Sequence, residues 1–144
     1  MYERPTLGLA DALKGLHAVL DAVTPDERQV AVAVVDHRGE VLCYAAMDHV
    51  MEPSRTMSVR KAFTAAWGGT DSGAYARAIR EMVGVPVETL FDQRASSSRG
   101  GVAITRPADG LILGGVGVSG AVSADRDEEL GGLARDAILA EALR

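Results

Sequence analysis

The spacing of apolar positions in the first third of the chain predicts one helix followed by a β-hairpin. A leucine stripe at helical spacing predicts a helix over about 7–23, with the stripe facing inward. The leucines of this stripe are Leu9, Leu13, Leu16 and Leu20. Two apolar runs, 30–35 and 41–47, flank a polar turn that contains Gly39. Branched residues on both sides of such a turn predict two antiparallel strands.

Three further helices are predicted beyond this hairpin. Pro53 suits the first turn of a helix over about 54–67, which a Gly-Gly pair ends. The next helix is expected over about 72–83, where a glycine and a proline follow. The last is expected over 126–143, after a D-x-x-E capping pattern. Its inward residues are predicted to be Leu130, Leu133, Ala137 and Ile138.

A second hairpin is predicted between the third and fourth helices. Its strands are 102–105 and 111–119, joined by a turn that contains proline and glycine. The serine-rich stretch 96–101 before it is expected to be a flexible loop. The order of elements is therefore α–β–β–α–α–β–β–α. Two hairpins favour an antiparallel sheet with helices on its faces, which is an α+β fold.

Composition and charge limit the classes of protein and partner. The 144 residues suffice for a single domain, 1–144. A net charge of −5 argues against nucleic acid and anionic membranes as partners. No apolar run reaches the roughly 18–20 residues that span a bilayer. Because Cys43 is the single cysteine, no internal disulfide can form, and we expect a soluble cytoplasmic protein.

The glycine-rich segment 114–120 has two structural interpretations. It has neither the dinucleotide-binding spacing nor the lysine of a phosphate-binding loop. Glycines that alternate with valines favour a strand that admits a close neighbour, which is either a helix or a ligand. Gly115 is therefore a candidate ligand-binding residue. Ser119, which precedes a capped helix, is a candidate for binding an anion at the free N–H groups there. Because Gly114, Gly115 and Gly117 permit close approach of another element, they also suggest that the chain is at least a dimer.

Several ionisable residues are candidates for chemistry. Asp48 and His49 follow a predicted buried strand, and a strand end holds functional groups firmly. An imidazole beside a carboxylate can act as a general base, although a solvated loop is the alternative. Arg60 and Lys61 lie on a helix that is otherwise mostly small or apolar, so they are candidates for binding an acidic group. Arg94 flanks the serine loop and is a further candidate for binding an anion.

The order of several short motifs resembles a known family. The motifs are Thr6-Leu7 with Ala10, the strand 31–36 with Gly39, Met47-Asp48, Lys61-Ala62-Phe63-Thr64-Ala65, Gly100-Gly101-Val102 and the segment 115–121. Together they resemble the small haem-binding or haem-degrading proteins of the GlcG/HbpS-like family. The resemblance spans nearly the whole chain.

The resemblance implies a fold, a ligand and an assembly. It implies a profilin-like, five-stranded antiparallel sheet flanked by helices, and homo-oligomers from dimers to octamers. It also implies that a small molecule, haem or a related tetrapyrrole, binds between the hairpin end, the second helix and the Gly-rich strand. If haem binds, the candidate axial ligand of its iron is His17, at the edge of the first helix's apolar stripe, or His49. The alternative for His17 is a surface or interface residue.

Two other functions remain open on the sequence. His49 stands where the family usually has glycine, which favours a cytoplasmic enzyme for a small polar or anionic metabolite. In that hypothesis Asp48 and His49 transfer protons, and Arg60 or Lys61 binds the anion. An aromatic content of only 4% argues mildly against a large flat ligand. The third possibility is a scaffold subunit without chemistry.

Overall fold

Residues 1–142 are described by the structure, which is a computed structural model. Within them, helices and strands follow the predicted order, with one short helix added. The elements are α1 (Leu9–Ala22), β1 (Ala31–Asp36), β2 (Val41–Ala46), α2 (Glu52–Gly68), α3 (Ser72–Val83), α4 (Val87–Phe91), β3 (Gly101–Thr105), β4 (Ile112–Ser119) and α5 (Ala124–Ala142). Leu143, the predicted end of the last helix, lies outside the described residues.

The sheet has the order β2–β1–β4–β3, and every neighbouring pair is antiparallel. The α+β class is therefore confirmed. The five-stranded sheet that the resemblance implied is wrong, because the sheet within residues 1–142 has four strands. The chain between α3 and β3 forms α4 and a turn at Asp92, which has a φ of 83°, instead of a further strand. Pro86 caps α4, which the sequence analysis did not predict.

Helices cover both faces of the sheet. Val32 and Val34 of β1 lie in the large core cluster that α1 and α5 share with the sheet. Ala33 and Val35 point to the other face, where they contact Ala62 and other small residues of α2. Both faces of β1 are buried, which explains its unbroken apolar run.

Only half of the predicted leucine stripe of α1 faces inward, where Leu16 is buried and Leu20 packs against the core. Leu9 is 55% exposed and Leu13 is 37% exposed, and Leu16 alone of the four is buried. The buried face carries smaller residues instead, because Gly15 sits directly against Ile138 of α5. The prediction for α5 fails in the same way at Leu133, which is 40% exposed.

Helix α2 lies unusually close to the glycine-rich strand β4. A Cβ atom placed on Gly117 would be 1.9 Å from the carbonyl oxygen of Ser58, and one on Gly115 would be 2.6 Å from that of Ala62. The strand interpretation is therefore confirmed, and the close neighbour of its glycines is a helix. Contact of this kind between two backbones is possible only where side chains are absent.

Candidate functional site

The β2–α2 pocket is a cleft of about 560 Å³ between the edge strand β2 and the flank of α2. Its walls come from the β1–β2 turn, β2, α2 and the loop after α4. The lining residues are Gly39, Val41, Tyr44, Arg55, Thr56, Val59, Arg60, Phe63, Gln93 and Arg94.

The position of α2 creates this pocket. Helix α2 lies over β4, β1 and β3 and barely touches β2, since the glycines of β4 let it settle there. The α2 side of β2 is therefore left open, and Val41 and Tyr44 on it are partly exposed. Apolar side chains on an uncovered edge strand provide a surface for an apolar ligand.

The end of the pocket at the β1–β2 turn is fixed by aromatic residues. The Trp67 indole Nε1 donates a hydrogen bond to the carbonyl oxygen of Arg38, at 2.7 Å. Gly39 has a φ of +87°, and a Cβ there would lie 2.5 Å from Cδ2 of Phe63. The turn can therefore pack onto the Phe63 ring only with glycine at this position.

Three arginines surround the apolar floor of the pocket. Arg60 donates from Nε to the carbonyl oxygen of Ala95, at 3.1 Å. The guanidinium of Arg94 lies over the Phe63 ring, 4.9 Å from its centroid, where a cation–π contact is favourable. Arg55 forms an ion pair with Glu52, Nε to Oε1 at 3.3 Å. The site thus combines an apolar wall with positive charge at its border.

Arg94 is held by a second contact in the loop after α4. Its Nε and Nη2 atoms donate to the two carboxylate oxygens of Asp92, each at 3.2 Å. These hydrogen bonds lower the pKa of Asp92. Asp92 therefore stays ionised and fixes the guanidinium beside the Phe63 ring.

Asp48 and His49 lie away from this pocket. His49 lines a second cleft of about 350 Å³ together with Gln29 and Met51, and this cleft shares no lining residue with the β2–α2 pocket. The His49 backbone N–H donates to Oε1 of Gln29, at 2.6 Å. Asp48 is exposed. The enzyme hypothesis requires Asp48 and His49 to lie close to Arg60, and the structure does not place them together.

Lys61 is buried, although its neighbour Arg60 lines the pocket. Its Nζ donates to Asp127 Oδ2 at 3.2 Å and to the carbonyl oxygen of Val118 at 3.0 Å. Burial lowers the pKa of Lys61 and raises that of Asp127. Lys61 thus joins α2 to β4 and α5, and it faces no cleft.

The remaining predicted site residues are dispersed. His17 is exposed on α1, on the face of the sheet opposite α2. Gly115 is covered by α2, and Ser119 is buried where it pairs with Ala31. Among residues 1–142, no group of three or more His, Cys, Asp or Glu side chains is arranged to hold a metal ion.

Two of the pocket's three arginines, Arg60 and Arg94, were predicted as site residues, whereas Tyr44, Phe63 and Arg55 were not. One signal was present: Arg55, Val59 and Phe63 are spaced by four residues and so share one face of a helix. Tyr44 gave no such signal. Its exposure follows from where α2 settles on the sheet, and this depends on contacts far apart in sequence.

None of the helices in residues 1–142 is long and apolar enough to cross a membrane.

Comparisons with known proteins identify the family. A structure of the Klebsiella pneumoniae protein ORFY is 26% identical, with a TM-score of 0.83 over 96% of this chain and 94% of that one. A double mutant of Streptomyces reticuli HbpS is 28% identical, with a TM-score of 0.81 over 94% and 88%. The haem complex of PduOC, at 23% identity, has a TM-score of 0.80 over 92% and 94% and supports the fold alone.

A comparison with curated proteins gave no match. A family model described as "Haem degrading protein HbpS-like" matches residues 7–135. The match covers most of the chain and includes all of the helices and strands that build the β2–α2 pocket. The chain therefore belongs to the HbpS-like family of haem-degrading proteins.

Proposed function

We propose that this protein binds haem, or a closely related tetrapyrrole, in the β2–α2 pocket. The observation that carries the proposal is a wide apolar cleft whose border holds three arginines, Arg55, Arg60 and Arg94. A tetrapyrrole is a flat apolar ring with carboxylates at its edge, and both features have a counterpart here. The description of the family supports the same ligand.

The size and walls of the pocket fit such a ligand. Its volume of about 560 Å³ lies within the ~300–1,000 Å³ that is usual for organic ligands. Val41 and Tyr44 of β2 form one wall, and Val59 and Phe63 of α2 form the other. These side chains would contact the two faces and edge of the ring, and they would exclude water from them.

The arginines suit carboxylates at the edge of the ring. Arg60 is oriented by its Nε bond to Ala95, and Arg94 by its bonds to Asp92. Arg94 Nη1 has no hydrogen-bond partner within the described residues, and neither has Nη2 of Arg60. These free donors can reach a carboxylate, and such charge-assisted bonds are about twice as strong as neutral ones. Bound haem would supply a redox-active iron, while this chain's residues bind and orient the ring.

A haemin titration followed by visible absorbance tests the proposal. We expect a sharp, stoichiometric shift of the Soret band for the parent protein. The double variant Arg60→Ala/Arg94→Ala should bind at least about tenfold more weakly, since a hydrogen bond to a charged group contributes ~1.5–3 kcal/mol. Arg77→Ala is the matched control, because Arg77 is exposed on α3 and lines a different cleft. Equal affinity of the double variant and this control would refute the site.

We also propose that the protein is a cytoplasmic homo-oligomer. Cys43 is a free, partly buried thiol, which suits a reducing compartment. Leu9 and Leu13 of α1 and Leu133 of α5 leave apolar surface exposed on the helical face opposite α2. Exposed apolar side chains of this kind favour contact with another subunit.

A further inference from the structure

Tyr44 differs chemically from the other residues that line the β2–α2 pocket. Ferric iron prefers a ligand that can carry a negative charge, and a tyrosine phenolate is an established haem ligand. Arginine remains protonated and has no lone pair to donate. The Thr56 hydroxyl and Gln93 amide are neutral. Among the described lining residues, Tyr44 alone can become an anionic ligand.

The backbone of Tyr44 is held firmly while its ring remains accessible. The residue lies within β2 and pairs with Ala33 of β1 in the antiparallel ladder. Its side chain is on the α2 side of the sheet and is 41% exposed. The phenolic hydroxyl makes no hydrogen bond to any residue in 1–142, so no internal partner competes for its oxygen.

The histidines and the cysteine, which also ligate haem iron in proteins, lie elsewhere. His17 is on the opposite face of the sheet, and His49 lines the second cleft. His37 is in the β1–β2 turn, where its Nδ1 is 2.8 Å from Oγ1 of Thr6. Cys43 precedes Tyr44 in β2 and packs against the α1–α5 core, because successive strand residues point to opposite faces.

The geometry points to Tyr44 as the residue that would hold haem iron in the β2–α2 pocket, an inference that rests on the proposed function. With haem bound, the Tyr44 phenol would lose its proton to solvent, and the resulting phenolate oxygen would hold the ferric iron. Neither group is oxidised or reduced. Arg55 and Arg60 line the same pocket and bring positive charge to it.

The test compares Tyr44→Phe with the parent protein after each is loaded with haemin. We expect the parent to show a phenolate-to-iron charge-transfer band, with phenolate vibrations in its resonance Raman spectrum. Tyr44→Phe should lose both signals, whether or not its haem affinity also falls. Tyr75→Phe is the matched control: Tyr75 lies on α3, stacks on Phe91 and does not line the pocket. It should retain both signals.

The histidine variants complete the test. His17→Ala and His49→Ala should each keep the parent spectrum. A parent spectrum unchanged in Tyr44→Phe, or altered in either histidine variant, overturns the assignment of Tyr44 while haem binding itself stands. A parent protein that binds no haemin overturns the proposed function, and the ligand assignment with it. Circular dichroism of each variant confirms that the fold is retained.

Discussion

Arg60 and Lys61 are neighbours in sequence but have different environments. Consecutive residues on a helix point about 100° apart, so one side chain can face a cleft while the next faces the core. Arg60 lines the β2–α2 pocket, and Lys61 reaches Asp127 on α5. The sequence suggested one basic pair for binding an anion. The partner of Lys61, Asp127, lies 66 positions away in the sequence, so the residues around Lys61 give no sign of this ion pair.

We predict that Lys61→Met destabilises the fold strongly. The substitution leaves Asp127 buried without its cation, and breaking one side of a buried ion pair costs about 3–5 kcal/mol. Urea unfolding at pH 7 measures the effect. Arg60→Met is the matched control and should change the free energy of unfolding far less, because Arg60 is partly exposed. A Lys61→Met variant as stable as this control would show that the pair contributes nothing.

At the scale of elements, the contact of α2 with β4 determines where the pocket lies. The sequence predicted the strand and its tolerance of a close neighbour, but it left open whether that neighbour is a helix or a ligand. The space beside each glycine is occupied by other parts of the same chain. Helix α2 lies against Gly115 and Gly117, and Val35 and Leu7 lie against Gly114. They are therefore not available to a second subunit, and this basis for predicting a dimer no longer holds.

We predict that Gly117→Ala destabilises the protein by at least ~1–3 kcal/mol, the usual cost of overpacking a core. The new methyl group would lie 1.9 Å from the Ser58 carbonyl oxygen and would push α2 off the sheet. Thermal unfolding measures the loss. Gly132→Ala in α5 is the control, since its nearest neighbour is an Arg135 side chain 3.6 Å away. That variant should be neutral or slightly more stable, and a similar loss in both would contradict the packing account.

The ion pair between Glu27 and Arg126 predicts a pH dependence of stability. Arg126 donates to both carboxylate oxygens of Glu27, at 2.9 and 3.0 Å, and joins the loop after α1 to α5. These hydrogen bonds lower the Glu27 pKa from 4.5 to about 2. The pair therefore stabilises the fold above pH 4.5, and this contribution is lost as the pH falls from 4.5 towards 2.

Urea unfolding at pH 7 and at pH 3 checks this prediction. Glu27→Gln should be less stable than the parent at pH 7, and the difference between them should shrink at pH 3. Asp136→Asn is the control, because Asp136 is an exposed carboxylate paired with the adjacent Arg135. If the difference in stability between Glu27→Gln and the parent is the same at both pH values, protonation of Glu27 does not control the stability.

At the scale of the whole molecule, the order of elements could be predicted, but the lateral packing could not. Both hairpins and four of the five helices follow from periodicity and from glycine and proline positions. The exposure of Leu9, Leu13 and Leu133 could not be predicted from the sequence. Gly15 lets α1 approach α5 closely, so the two helices pack through a face other than the one that carries these leucines. Most of the lining residues of the pocket were also not predicted as site residues, because the open side of the pocket depends on where α2 packs on the sheet.

We predict that the protein assembles into dimers or larger oligomers. Light scattering at micromolar concentration should give a particle larger than the 15.1 kDa of one chain. Leu13→Glu places a charge on the exposed face of α1 and should shift the particle towards one chain. Val83→Glu, on exposed α3, is the control. A parent particle of about one chain would contradict the assembly.

NMR can locate bound haem on the protein. Ferric haem broadens nearby amide signals in a nitrogen–proton NMR spectrum, so substoichiometric haemin marks its own site. If haem binds in the β2–α2 pocket, broadening should be centred on Tyr44, Val59 and Phe63, and the amide signals around His17 and His49 should remain. Broadening centred on His17 or on His49 instead would contradict the β2–α2 pocket as the haem site.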